Sequence, residues 1–278
     1  MTIDLIYASW PNSPGGIHWH RMADMVRYAG LTAQLEKAGF HVNEHVLAAE
    51  GDTPDDLSEA FRLGARIGQI VAASHEAGGL SVIVCGSCSV AALGAMSGLG
   101  AEHTGVVWMD AHADINTPET TLSGLFEGMP VAMLLGEAWQ AMCYEIAGIG
   151  PISLRNLCYY GVRSIDPAEQ AKIDEENIPI ANDADSVIEV LDGCERAYIH
   201  LDMDVHNAAR LKVSPYSAKG GPSPTQIRKD LVAITAALPV AAVGVTAIDP
   251  DVADERAAAC AIEHVLALAK AWRSRVGF

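Results

Sequence analysis

Two acidic clusters hold the chemistry this chain could perform, Asp110-Ala111-His112-Ala113-Asp114 and Asp202-Met203-Asp204. Carboxylates and imidazole are ligands for divalent metal ions, and several of them converging describe a place for two ions rather than one. Each cluster comes directly after an apolar run, Val106-Val107-Trp108-Met109 in one case and Ala197-Tyr198-Ile199-His200-Leu201 in the other. Side chains alternate across a strand, so Asp110, His112 and Asp114 share one side, and Asp202 and Asp204 likewise. The plain alternative makes the aspartates turn formers and His112 a packing histidine. A second cluster at a second strand end argues against it.

The elements that must position these residues are short apolar segments alternating with helical patterns, an α/β signature. Strands are expected over Ile3 to Ala8, Leu80 to Cys85, Val106 to Met109, Leu157 to Gly161, Ala197 to Leu201 and Ala242 to Ile248. They read as continuous apolar runs, which suits a parallel sheet covered on both faces, a three-layer α/β/α arrangement. Helix starts are expected at Thr53-Pro54-Asp55-Asp56, running to about Ala77, and at Asp166-Pro167. Two more are expected, from Ser223-Pro224-Thr225 to Leu238 and from Asp254-Glu255 to a basic end at Lys270 to Arg275. With no repeat, linker or low-complexity tract, residues 1–278 are expected to form one domain. Open parallel sheets place their sites at the carboxyl ends of strands, where both acidic clusters fall.

Composition bounds the partners. Fifty per cent apolar residues suffice for a large core, and a formal net charge of −17 argues against nucleic acid or an anionic membrane as the main partner. A small molecule or a metal fits better. The six cysteines have no framework spacing and read as reduced thiols. The chain start lacks a secretory signal pattern and no apolar run reaches membrane-spanning length, so a cytoplasmic protein is expected.

The run from Val107 to Pro118, then Ser123-Gly124, Gly128-Met129-Pro130 and Leu201-Asp202-Met203-Asp204, resembles the ureohydrolase family of arginases and agmatinases. Gly86-Ser87-Cys88-Ser89 occupies the place of that family's Gly-Gly-Asp-His-Ser segment. The resemblance implies an arginase-like fold and two Mn²⁺ per chain. Asp110 and Asp202 would bridge the ions, with Cys88 and Asp114 completing one and His112 and Asp204 the other. Cys88 stands where the family has histidine, and two readings stay open there. It is either a small buried thiol beside a weakened site, or a thiolate ligand that also tolerates Zn²⁺ or Co²⁺.

The resemblance also implies an amino-acid substrate. Asn116, Thr121 and Ser123 fall where the family holds the α-carboxylate, and Asp166 and Glu169 where it holds the α-ammonium. These acids also suit the first turn of a helix. Glu127 replaces the family's proton-shuttling histidine, and is either an acid–base group or a solvated loop carboxylate. Ala247 replaces the glutamate that receives the guanidinium. Tyr216 stands where the family shapes the head-group pocket with threonine, and His18 and His20 lie in a loop the family brings near the rim. A less basic substrate than arginine reconciles these changes, and the pattern resembles the hydroxyarginine amidinohydrolases of D-cycloserine biosynthesis, which release hydroxyurea and ornithine. Three alternatives stand beside it: hydrolysis of arginine or another guanidino acid, a ligand-binding relic of the fold, and a deacetylase of related fold. A monomer is expected rather than a trimer, since trimeric arginases use a C-terminal extension and this chain stops at Phe278.

Overall fold

A computed structural model of the protein describes residues 1–11, 17–50 and 56–277. Its strands among these residues are β1 (Thr2–Ser9), β2 (His41–Ala48), β3 (Leu80–Cys85), β4 (Thr104–Met109), β5 (Leu157–Tyr160), β6 (Ile180–Ala181), β7 (Arg196–Asp202) and β8 (Val240–Thr246). All pair in parallel in one sheet of order β2-β1-β3-β8-β7-β4-β5-β6. Helices are α1 (Met22–Tyr28), α2 (Leu31–Lys37), α3 (Leu57–Glu76), α4 (Cys88–Leu99), α5 (Pro130–Leu134), α6 (Gln140–Met142), α7 (Pro167–Glu176), α8 (Ala184–Val190), α9 (Pro224–Ala237) and α10 (Ala257–Val276).

Alternate strand residues feed two separate cores. Leu5, Val84, Val107, Ile199 and Val243 pack against α1, α2, α8, α9 and α10. On the opposite face Ile6, Ile83, Trp108 and Tyr198 pack against α3, α4, α5 and α7. This is the three-layer α/β/α arrangement expected from the uninterrupted apolar runs. The expected strands are all present with ends shifted by a residue or two, whereas β2 and β6 are additions. The helix expected from Thr53 is described from Leu57, with Asp56 accepting from the Ser58 amide as its N-cap. Thr53, Pro54 and Asp55 lie outside the described residues.

The sheet order places β3, β8, β7 and β4 side by side, so their carboxyl ends bring Cys88, Ala247, Asp202 and Asp110 to one place. Here the sheet reverses its winding, because the chain leaves β3 and returns at β4 three places away. No helix among the described residues is long and apolar enough to cross a membrane.

Candidate active site

Asp110 follows β4 and Asp202 ends β7, both fully or almost fully buried. The first Asp202 oxygen accepts the Asp204 amide at 2.6 Å, and Asp110 accepts the His112 amide at 2.7 Å, so each acid folds the turn that presents the next ligand. The Arg163 guanidinium locks the second turn, donating to the main-chain oxygens of Asp204 at 3.2 Å, Val205 at 3.1 Å and His206 at 3.1 Å. His112 Nδ1 lies 3.2 Å from Asp204 and 3.4 Å from Asp110.

Two sets of donor atoms converge within 4.8 Å, sharing Asp110: Asp110, His112 and Asp204 in one, and Cys88, Asp110, His200 and Asp202 in the other. Asp114 lies outside both sets, although it lines the same cavity. Its φ of 51° is left-handed, which costs a non-glycine residue roughly 1–3 kcal/mol and persists where the surroundings demand it.

Acidic charge accumulates here and is only partly offset by His112. Burial, followed by repulsion from neighbouring acids, pushes the carboxyls of Asp110, Asp114 and Asp202 above their ordinary range. Burial and then Asp202, Asp114, Glu127 and Asp110 push the Cys88 thiol up as well. Burial would depress His112, but Asp110 and Asp204 outweigh it and hold the imidazole up at about 12. One Asp110 oxygen is buried with no hydrogen-bond partner. An orphaned carboxylate oxygen among acids, imidazole and thiol fits a bound cation, since a metal supplies the missing charge and partner.

Cys88 is the first residue of α4, and Ser87 caps that helix by accepting the Val90 amide at 3.1 Å. Its thiol points at Asp202 at 3.2 Å and Thr246 Oγ1 at 3.4 Å. Glu127 reaches the same helix start, accepting from the Ser87 hydroxyl at 2.7 Å and the Ser89 amide at 3.0 Å. It is not the solvated loop acid of one sequence reading: burial raises its carboxyl, and these donors partly offset the rise. Both oxygens therefore hold the Cys88 segment in place.

A cavity of about 370 Å³ opens above the clusters. Asn116, Ser123, Asp166, Glu169, Tyr216, Glu127 and Ala247 line it. Thr121 is not among the lining residues; its hydroxyl accepts the Gly124 amide at 3.0 Å, shaping the loop that carries Ser123. Glu169 is tied down by the amides of Ile115 at 3.1 Å and Asp166 at 2.9 Å. Asn116 Nδ2 donates to Asp166 at 3.2 Å. His18 and His20 are absent from the wall; His18 pairs with Asp251 at 2.6 Å instead.

Trp19, between those histidines, is a lining residue that sequence reasoning missed. Its ring faces Tyr216 at 5.8 Å between centroids. Its main chain packs so closely on Gly86 that a methyl group there would stand 1.9 Å from the Trp19 carbonyl oxygen. Gly86→Ala is therefore expected to push Trp19 off the cavity wall and to cost about 1–3 kcal/mol, the usual range for overpacking. Thermal unfolding reads this directly, and an unchanged melting temperature would show that the Trp19 segment yields freely.

The model of a family described as the arginase family matches residues 20–269. Rat arginase-1 is 30% identical over 212 residues, an alignment covering 65% of this chain and 63% of the rat protein. This chain thus covers less than two thirds of that relative's length. Arginase from Bacillus caldovelox is 33% identical over 172 residues, 56% of each chain. The crystal structure of Bacillus subtilis arginase superposes with a TM-score of 0.85 at 23% identity, covering 96% of this chain and 98% of that one, a likeness of fold.

Proposed function

As this chain belongs to the arginase family, we propose that it is a metal-dependent amidinohydrolase that cleaves Nω-hydroxy-L-arginine to hydroxyurea and L-ornithine. The choice of substrate is carried by the cavity wall at Ala247, where the family pattern places a glutamate. Apart from the proposed metal ligands and the acids at the α-amino pole, the only carboxylate on the described wall is Glu127, and both its oxygens are engaged by the start of α4. A guanidinium lacks a free counter-charge there. An N-hydroxyguanidine, less basic, needs less of one.

Asp110 and Asp202 would be shared by two Mn²⁺, with Cys88 and Asp114 on one side and His112 and Asp204 on the other. Bound ions would activate water for attack on the guanidine carbon and offset the charge that develops. Asp166 and Glu169 would orient the α-ammonium, and Asn116 and Ser123, with Thr121 behind them, the α-carboxylate. Glu127 is the acid–base candidate, because a carboxyl raised by burial holds a proton more readily than a solvated one. Trp19 and Tyr216 would exclude water from the head group. The same resemblance suggests a role in D-cycloserine biosynthesis.

A second reading, hydrolysis of arginine itself, is favoured by the rat and Bacillus relatives, both arginases by name. Incubating the Mn²⁺-loaded protein with each compound in parallel, and assaying ornithine, urea and hydroxyurea, separates the two. Hydroxyurea released well ahead of urea supports the first reading, and comparable release the second. Failure to bind any metal would instead leave a ligand-binding relic.

A further inference from the structure

The family pattern puts an imidazole at position 88, this chain puts a thiol there, and another imidazole stands directly behind that thiol. We propose that His200 is a ligand of the ion held by Cys88, Asp110 and Asp202, replacing from β7 the imidazole missing from α4. This rests on the metal-dependent reading above.

Strand geometry puts His200 under the site. It precedes Asp202 by two residues on β7 and pairs across the sheet with Trp108, which precedes Asp110 by two residues on the β4 side. His200 therefore forms the floor beneath both shared carboxylates. One donor atom from each of Cys88, Asp110, His200 and Asp202 lies within 4.8 Å of the others, and all four residues are buried. With Asp114, proposed above for the same ion, they would supply sulfur, nitrogen and three carboxylates.

The ring is already aimed. It stacks on Trp108 with centroids 3.6 Å apart and planes within 4°. Nδ1 meets the Tyr198 hydroxyl at 2.9 Å, whereas Nε2 has only the Thr246 hydroxyl at 3.3 Å. With Nδ1–H donating to Tyr198, the Nε2 lone pair is turned to the Thr246 hydroxyl, which the Cys88 thiol also meets at 3.4 Å, and ligating histidines characteristically donate their other N–H to a partner such as Tyr198.

The other buried histidine–cysteine trio, His206, Cys260 and His264, lacks this aim. There the two Nε2 atoms lie 2.8 Å apart between rings whose centroids are 5.1 Å apart and planes within 14°. With His206 Nδ1 donating to the Met203 carbonyl at 2.8 Å, His206 Nε2 accepts an N–H···N hydrogen bond from His264 Nε2. A metal would need both to point at a third place.

The test is nuclear magnetic resonance of the whole protein, carrying ring-¹⁵N histidine and loaded with ¹¹³Cd²⁺. A coordinated imidazole nitrogen is split by the metal. Two split imidazoles are expected, one lost in His112→Asn and the other surviving it. His200→Gln should remove the second and weaken one of two cadmium ions by at least about tenfold, as loss of a contact to the centre typically does. Two bound ions with His112 alone split, or with no imidazole split, would overturn the His200 assignment and leave the metal-dependent reading standing. Absence of cadmium binding would overturn both.

Discussion

Asp110→Asn is expected to weaken metal binding by at least about a hundredfold and to abolish measurable turnover, while leaving the metal-free protein as stable as the parent or more so. Asp110 belongs to both donor sets, so its charge is shared by both proposed ions. Residues that merely orient a ligand cost about 10–100-fold in affinity when replaced, and a shared ligand must exceed that. The stability half follows from the same burial. Its carboxyl is pushed up by desolvation and then by Asp204, so the ionised form is disfavoured in the absence of a cation. Asparagine removes that charge, keeps an oxygen for the His112 amide and forfeits no partner at the orphaned oxygen, and Asp204 at 3.2 Å still pairs with the His112 ring when the 3.4 Å Asp110 contact loses its charge. Metal should reverse the order, because an ion held at a thousandfold excess over its Kd adds about 4 kcal/mol to the folded state. Metal content after dialysis and melting temperatures with and without Mn²⁺ read both halves. Two ions retained at parental affinity would remove Asp110 from the centre.

That both donor sets could be sought at strand ends follows from local rules. Continuous apolar runs such as Leu80–Cys85 mark buried parallel strands, and acids at alternating positions beyond them share a side. The missed elements lack these signals. Strand β2 lies at the sheet edge, half-exposed, with Asn43, Glu44 and His45 breaking its apolar pattern. Helix α4 is buried on nearly all sides from Cys88 to Leu99, so it carries no polar face to mark a helical period. The site's unread parts depend on contacts distant in sequence. Trp19 reaches the cavity through close packing on Gly86. His200 was visible only as one polar residue in an apolar strand, and its aim depends on Trp108, Tyr198 and Thr246. Glu127 sits in a stretch that reads as loop, and only the folded chain encloses it against the start of α4.

With Mn²⁺ bound, kcat/KM for Nω-hydroxy-L-arginine is expected to exceed that for L-arginine by at least about a hundredfold. A protonated guanidinium at Ala247 forgoes a charge-assisted hydrogen bond, worth about 1.5–3 kcal/mol, or roughly tenfold to more than a hundredfold in rate. Glu127 compensates poorly, since turning toward the substrate means leaving the Ser87 hydroxyl and the Ser89 amide. The two deficits fall on the cationic substrate together. The N-hydroxyl group withdraws electrons, leaves more of the head group neutral and makes its carbon easier to attack. Ala247 already has a left-handed φ of 64°, so its backbone strain is present before any side chain is added. Ala247→Glu should therefore narrow the preference by restoring the arginine reaction, with little further conformational cost. Initial rates of ornithine release from each substrate, in parent and variant, measure the ratio and its change. Equal kcat/KM values in the parent, with urea accumulating from arginine, would make the chain an arginase whose ligand set has changed without a change of substrate.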